Sequence, residues 1–337
     1  MSDKVLVTGA AGFIGMHTAL ALAKQGFQVT GLDNLNTYYS VDLKLARLKV
    51  QGIRTNEIEY NKLLVGDKNI EFTQIDLADA HFIDDLFRVK QFKYVVHLAA
   101  QAGVRYSIEN PHVYIDANVK GFLDILESAR KHKVAHLVYA SSSSVYGLNE
   151  EVPFLESHQT DNQVSLYAAT KKANEAMANS FAAVHGMKLS GLRFFTVYGP
   201  YGRPDMAPFK FTKAILKGDP IQVFNNGNLS RDFTYVDDIV DGICKIMEVP
   251  PHVNQNGNQI YNIGRGEPVA LLDFIKSVEQ ACGKKAVLEN LPMQKGDVYQ
   301  TYASTEKLRK QVGYQPKVSL DEGMEAFVDW YRGFYGV

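Results

Sequence analysis

The sequence predicts an α/β fold, a doubly wound parallel sheet carrying a smaller mixed α/β lobe. Two patterns predict it. From Lys4 to Phe194, short apolar runs, each long enough for one buried strand, alternate with segments of helical periodicity. After Phe194 the alternation gives way to a loop-rich stretch holding Gly199-Pro200, Gly202, Pro204, Pro208 and Gly218-Asp219-Pro220. Alternating strands and helices require crossover connections of one hand, so the strands run parallel and helices cover them.

The elements follow in order. Residues 4–8 form an apolar run closed by Gly9, as a buried strand should be. Residues 14–26 have helical spacing and stop at Gly26, a residue suited to a helix C-terminus. Residues 27–32 make a second strand ending at Asp33, which completes one βαβ unit. Residues 34–69 are a polar connection with a helix over 41–50. Strands at 70–75, 94–98, 135–140 and 188–194 repeat the pattern, and amphipathic stretches at 112–131 and 165–185 supply covering helices. Residues 235–247 and 260–263 read as a return to the sheet, and 265–337 as a small mixed domain. The expected division is residues 1–193 plus about 233–263 for the sheet domain, and about 194–232 plus 264–337 for the second lobe.

The bulk composition excludes several classes. An apolar fraction of 46% over 337 residues supports a sizeable core. Lys and Arg number 36 against 37 acidic residues, so no global field points to nucleic acid or a membrane surface. Cys244 and Cys282 form neither a disulfide framework nor a metal-ligand spacing, so a reducing, cytoplasmic setting without a metal is expected. With a strand from Lys4 no secretory leader is expected, and no apolar run reaches the roughly 20 residues that span a bilayer.

Two motifs carry chemistry. Gly9, Gly12 and Gly15, with Phe13 and Ile14 between them, stand between the first strand and the first helix. Small residues there let backbone approach a pyrophosphate, and the helix N-terminus offers unpaired N–H donors. Asp33, 18 positions beyond Gly15, can accept both adenosine-ribose hydroxyls and would repel a 2′-phosphate, so NAD is expected over NADP. No arginine follows Asp33 closely. Asp76, followed by Leu77, either accepts from the adenine amino group or caps a helix.

The second motif is Tyr167 with Lys171, one helical turn apart, preceded by the serine run from Ser141 to Ser144. An ammonium beside a phenol favours the phenolate, which makes a general base for an alcohol proton. The serine run follows an apolar strand, at the edge where open α/β sheets place ligands, so Ser142 is the candidate to bond the reacting oxygen. Taken alone, the Tyr167–Lys171 pair also fits a helix surface. His97 reads as a core histidine, and Phe327, Trp330, Tyr331, Phe334 and Tyr335 as packing.

These residues resemble the extended short-chain dehydrogenase/reductase superfamily, whose nucleotide-binding half is a Rossmann domain. The likeness rests on the glycine motif from Thr8 to Gly15, on the segment from His97 to Ser107, on the serines before Val145-Tyr146-Gly147, and on Tyr167 with Lys171. Three further segments resemble nucleotide-sugar epimerases acting on UDP-glucuronate: Asn36-Thr37-Tyr38-Tyr39 with Leu43-Lys44 and Ala46-Arg47, Arg193 to Pro200, and Gly202-Arg203-Pro204-Asp205-Met206. The resemblance implies NAD contacts from Gly9, Gly12, Phe13, Ile14, Gly15, Asp33, Asp76, Leu77, Ala99 and Lys171. It implies Tyr167 as base, Ser142 as relay, and Lys171 as the holder of the nicotinamide ribose. Arg231 matches an arginine that clamps the UDP diphosphate, although a surface pair with Asp232 or Asp237 is the other reading, and Asp297 belongs to a late motif on the substrate side.

The expected reaction is therefore NAD-dependent C4 epimerisation of a UDP-sugar through a 4-keto intermediate, UDP-glucuronate to UDP-galacturonate. Superfamily dehydratases and decarboxylases carry an acidic residue just before Val-Tyr-Gly, where this chain has Ser143 and Ser144. Ser143, Ser144, Thr196 and Arg203 are candidate donors to the sugar carboxylate, with loop anchoring or core packing as the alternative for Arg203 and Thr196. Other readings stay open: a 4-epimerase of UDP-glucose or UDP-N-acetylglucosamine, a UDP-glucuronate decarboxylase, or a non-catalytic protein binding NAD or a nucleotide-sugar. A homodimer through the helices at 112–131 and 165–185 is expected.

Overall fold

The computed structural model describes residues 2–252, 257–293 and 299–337. Its first part runs β1 (Lys4–Thr8), α1 (Phe13–Lys24), β2 (Gln28–Asp33), α2 (Val41–Val50), β3 (Leu63–Val65), β4 (Ile70–Gln74), α3 (Ala80–Lys90) and β5 (Tyr94–His97). A helical run follows: α4 (Tyr106–Glu109), α5 (Pro111–Tyr114), a π-helical turn Ile115–Lys120, and α6 (Gly121–Lys131). Then come β6 (His136–Ser142), a 3₁₀ turn Ser143–Tyr146, α7 (Leu166–His185), β7 (Leu189–Phe194) and β8 (Thr196–Tyr198). The rest comprises α8 (Ala207–Lys217), β9 (Pro220–Phe224), β10 (Ser230–Tyr235), α9 (Val236–Met247), β11 (Asn258–Ile263), β12 (Pro268–Ala270), α10 (Leu271–Cys282), β13 (Val287–Leu291), β14 (Gln300–Thr301), α11 (Glu306–Val312) and α12 (Leu320–Tyr335).

Among the described residues, the large sheet has the order β11-β7-β6-β5-β1-β2-β4-β3. β1 pairs in parallel with both β2 and β5, so the strand order reverses there, the point where open α/β sheets place their ligands. The remaining short strands form a mixed sheet around β10 and a parallel pair, β9 with β13. The chain divides into two compact units, residues 1–147, 159–193 and 240–261 in one, and 148–158, 194–239 and 262–337 in the other. The segment 148–158 lies inside a stretch that the periodicity assigns to the sheet domain. Long-range bonds hold it in the second unit: the Phe154 N–H donates to the Tyr302 carbonyl at 2.9 Å, and Asn262 Nδ2 donates to the Phe154 carbonyl at 2.7 Å.

Each unit has its own core. In the first, Leu6, Leu32, Ile75, Phe87, Phe122, Leu126 and Tyr139 pack together. In the second, Phe233 stacks on Phe274 with ring centres 4.1 Å apart, inside a cluster that includes Val223, Met324 and Phe327. The C-terminal aromatics pack in this unit, Phe327 and Tyr331 buried and Phe334 and Tyr335 partly exposed. α12 begins with a capping box in which Ser319 and Glu322 satisfy each other's backbone donors.

Several elements differ from the sequence expectation, among them β3, which lies in the stretch read as a polar connection and pairs antiparallel to β4 at the edge of the large sheet. Residues 236–247 form a helix, not a strand of the sheet: Asp237 and Asp238 occupy its first turn, and Val236, Ile239, Val240, Ile243 and Met247 recur at helical spacing. The amphipathic stretch at 112–131 is not one regular helix, because the π turn inserts an extra residue around Asn118. No helix among the described residues is long and apolar enough to cross a membrane.

Candidate functional site

The glycine loop leaves β1 at the strand-order reversal. Gly9 has φ of +74°, and a Cβ there would lie 2.9 Å from the Ala99 nitrogen, so the loops after β1 and β5 meet at glycine distance. A Cβ on Gly12 would lie 2.8 Å from the Gly9 carbonyl oxygen, and one on Gly15 would overlap it. The loop is anchored from β2: the Gly9 and Ala10 N–H groups donate to the Leu32 carbonyl at 2.7 and 3.1 Å, and the Ala11 N–H to Asp33 Oδ2 at 3.2 Å. Gly12 caps α1 with no side-chain acceptor, so the first-turn N–H groups beside Phe13 and Ile14 remain suited to an anion.

The other side of the loop is held by α2. Arg47, wholly buried, donates to the Ala11 carbonyl at 3.1 Å and to the Tyr39 hydroxyl at 2.6 Å. Gln51 Nε2 donates to the Ala10 carbonyl at 2.9 Å. Lys44, also buried, donates to the Asn36 carbonyl and Oδ1 at 2.7 and 2.8 Å. Burial lowers the Lys44 pKa, and the Asp33 charge acts in the opposite direction. No arginine follows Asp33 closely in sequence, yet the fold places two cations in its neighbourhood. Motif reading took Lys44 and Arg47 only as part of a resemblance and missed Gln51. The signal available was the Arg47/Gln51 pair at i, i+4 on the helix face that also carries Leu43, Lys44 and Leu48.

Asp33 accepts N–H bonds from Ala11 and Leu35, one on each oxygen, which leaves lone pairs for ribose hydroxyls. Asp76 accepts from Asn34 Nδ2 and from the Ala78 N–H, both at 2.9 Å, the geometry of a turn, and Leu77 beside it is buried. Ala99 donates its N–H to Thr8 Oγ1 at 3.1 Å. His97 also meets Thr8, Nδ1 to Oγ1 at 2.9 Å, and stacks on Phe122. Burial pushes its pKa down to about 3, so it is a neutral core residue.

The candidate catalytic residues lie on β6 and α7. Ser142 Oγ accepts the Ser144 N–H at 3.2 Å and donates to Ser144 Oγ at 3.1 Å, starting the 3₁₀ turn that carries Ser143. Ser165 caps α7 by accepting from the Ala168 N–H at 3.1 Å, which puts Tyr167 in the first turn. The Tyr167 ring stands edge-on to the buried Tyr114 at 6.2 Å. Lys171 is 2% exposed and donates to the Ala140 carbonyl at 2.9 Å, tying α7 to β6. Burial lowers its pKa to about 8, so it still carries its proton at neutral pH.

Behind the pair lies a polar network that motif reading missed. Asn118, in the π turn, donates from Nδ2 to the Gln101 carbonyl and to Thr170 Oγ1, both at 3.0 Å, and its Oδ1 accepts the Gln101 N–H at 2.7 Å. Asn174 donates to the Asn118 carbonyl at 2.6 Å. These partners lie 17 to 56 positions apart in the chain, so no local pattern announces them.

The second unit holds the remaining candidates. Thr196 opens β8, and Thr196 pairs with Phe233 across to β10. Arg231, on β10, donates to the Ser230 carbonyl at 2.8 Å. Its neighbour Asp232 is wholly buried and accepts the N–H groups of Arg265, Gly266 and Ala303 at 2.8, 2.9 and 3.1 Å, which fixes the backbone beside Arg231. Arg203 forks onto Asp205 at 3.0 and 2.6 Å, so its guanidinium is half-buried and paired inside its own loop. Asp297 lies outside the described residues.

The candidate site thus comprises a glycine cradle at a strand-order reversal, a carboxylate ending β2, Ser142 ending β6, and Tyr167 and Lys171 on α7. Residues 5–264 match the model of the NAD dependent epimerase/dehydratase family. The chain belongs to that family. A probable UDP-glucuronate 4-epimerase of Rhizobium meliloti is 42% identical, with 98% of each chain covered. The structure of a UDP-glucuronic acid 4-epimerase from Bacillus cereus, solved with UDP-glucuronic acid and NAD, superposes with a TM-score of 0.88 at 31% identity, covering 98% of this chain and 100% of that one. A UDP-glucose 4-epimerase from Thermotoga maritima, solved with UDP-glucose, gives a TM-score of 0.84 at 29% identity, covering 98% and 99%.

The cradle fits the family's dinucleotide, since a Cβ at any of the three glycines would fill the space against backbone. Gly15→Ala is therefore expected to force the loop open and weaken NAD binding at least about tenfold, while the sheet persists. Calorimetric titration with NAD, beside circular dichroism, measures both effects.

Proposed function

We propose that this chain interconverts UDP-glucuronate and UDP-galacturonate by C4 epimerisation with NAD. What supports the reading is that Lys171, four residues after Tyr167 on α7, bonds the carbonyl of Ala140, two residues before Ser142, and that Ser143 and Ser144 stand where an acid would serve dehydration or decarboxylation. NAD, held by the glycine loop, Asp33 and Lys171, supplies a reversible hydride acceptor. Tyr167, with the Lys171 ammonium beside it, takes the C4 hydroxyl proton and returns it after the 4-keto sugar has turned over. Ser142 bonds the reacting oxygen throughout. Arg231 holds the diphosphate, so binding energy from the nucleotide restrains the sugar without locking its face.

The carboxylate sets the specificity. A 4-keto uronic acid is a β-keto acid, and it loses carbon dioxide when the breaking bond aligns with the ketone. Fixed donors must hold the carboxylate out of that alignment. Ser143, Ser144 and Thr196 supply hydroxyls, and Arg203 supplies charge once an anion competes with Asp205 for its fork. Exposed Ile108, Val113, Ile115, Leu123 and Val184 on the run from α4 to α6 and on α7 support a homodimer through these helices. The free, buried thiols of Cys244 and Cys282 suit a reducing, cytoplasmic setting.

Tyr167→Phe should lower turnover at least about 10²-fold while NAD and UDP still bind, because only the proton-transfer group is lost. Near-normal turnover of that variant would remove the assigned base. UDP-glucuronate should be epimerised with kcat/KM roughly 10²-fold or more above that of UDP-glucose, since the neutral sugar brings no anion to meet the donors of Ser143, Ser144, Thr196 and Arg203. Thr196→Ala and Arg203→Ala should slow epimerisation and release UDP-4-keto-pentose, visible by nuclear magnetic resonance. A faster reaction with UDP-glucose would make the neutral-sugar epimerase the better reading. Light scattering at micromolar concentration should give the mass of two chains, and a monomer would exclude the helix-paired dimer.

A further inference from the structure

The face of α7 that carries Tyr167 and Lys171 continues, one turn further, to Glu175. A carboxylate four residues after a buried lysine is placed to become its counter-ion. It is engaged elsewhere. Arg193, near the end of β7, donates from Nε to Glu175 Oε1 at 2.8 Å and from Nη2 to Oε2 at 2.9 Å, a bidentate pair. Ser141, next to Ser142, donates to Glu175 Oε1 at 2.6 Å. The guanidinium carbon also sits 4.8 Å from the centre of the Tyr146 ring, in the turn that carries Ser143 and Ser144. Arg193 and Glu175 are 3% and 6% exposed, so both charges are removed from water.

We propose that Glu175 and Arg193 are positioning residues for the Tyr167–Lys171 couple: Arg193 takes up the Glu175 carboxylate, so that Lys171 acts on Tyr167 without a carboxylate competing for it. The pair also joins α7, β6, β7 and the serine turn at one point, which holds Ser142 in register with Tyr167. The inference rests on Tyr167 being the base, and not on which UDP-sugar is the substrate.

The other ionisable groups around the pair do not replace it. Tyr139, on β6, is buried and its phenol is pushed well above the ordinary range, first by burial and then by the Glu175 charge. His97, on β5, is neutral, and its pKa feels the Lys171 charge. Tyr146 faces the Arg193 cation. Burial works against the Arg193 charge, and the bonds to Glu175 more than offset it. Lys171 itself is lowered to about 8 by burial.

Opposite signs make the test. In Arg193→Met, Glu175 is free to pair with Lys171, so the phenolate loses its cation and the Tyr167 titration moves to higher pH. In Glu175→Gln, Arg193 is unopposed and favours the phenolate, so the titration moves to lower pH. The double variant removes both charges and returns the titration to its starting point. Single-variant shifts of about half a pH unit or more are expected. The readout is the tyrosinate absorbance difference between each protein and the same protein carrying Tyr167→Phe, recorded without any UDP-sugar. A wrong substrate assignment therefore leaves the test intact, whereas a wrong base shows as a Tyr167 titration at or above the ordinary tyrosine value of about 10 in the unmodified protein. Breaking a buried ion pair endangers folding, so circular dichroism accompanies each variant. Glu175→Gln is nearly isosteric, keeps an acceptor for Ser141, and carries the test alone if Arg193→Met does not fold. A folded single variant whose Tyr167 titration is unmoved overturns the proposal and leaves the pair a packing role only.

Discussion

Lys171 brings a positive charge to the end of β6, where it is 2% exposed and bonded to the Ala140 carbonyl, and much of the first unit is arranged around that group. An ammonium removed from water is costly, and the cost shows as a pKa lowered to about 8. The cost is also useful: a cation poorly satisfied by its surroundings interacts strongly with a phenolate. The sheet meets the requirement in part by offering Lys171 the carbonyl of Ala140, near the end of β6. The Asn118–Thr170–Asn174 bonds hold α7 against the π turn, and the Glu175–Arg193 pair with the Ser141 bond holds it against β7 and β6.

The cofactor loop shows the same economy. Three glycines remove the side chains that would keep a pyrophosphate away, which leaves a loop with little to hold it in shape. Stiffness comes from outside the loop. Leu32 and Asp33 bind its N–H groups from one side, and Arg47 and Gln51 bind its carbonyls from the other. Drawing the carbonyls toward α2 keeps their negative ends away from a bound anion. A buried arginine beneath an anion site therefore supports binding both by geometry and by charge.

Candidate substrate contacts in the second unit are half-satisfied in a different way. Arg203 is matched by Asp205 within its own loop, and Arg231 rests on backbone carbonyls beside a fully buried aspartate. Charges held this way are in position before a ligand arrives. A guanidinium paired with a carboxylate exchanges that partner more readily for another anion than for a neutral group. Fold alone does not separate these substrates, since epimerases of charged and of neutral sugars both superpose on this chain over nearly its whole length.

The sequence by itself determined the alternating elements of the sheet domain, the glycine cradle, Asp33, and the helical spacing of Tyr167 and Lys171. Each is a local pattern, written within one strand, one turn or one helix. Tertiary structure decided what those patterns touch. Thr8 meets His97 across 89 positions, Arg47 meets Ala11 across 36, and Ser141 meets Glu175 across 34. Glu175 looks like a surface acid on an amphipathic helix until β7 brings Arg193 beside it. Asn118 looks like a polar interruption until the π turn aims it at Thr170. Residue 154 changed unit for the same reason: its backbone partners, Tyr302 and Asn262, lie more than a hundred positions away. Hydrophobic periodicity records which face of an element is buried, whereas the partner of a buried polar group is chosen by whichever segment the folded chain brings within 3 Å.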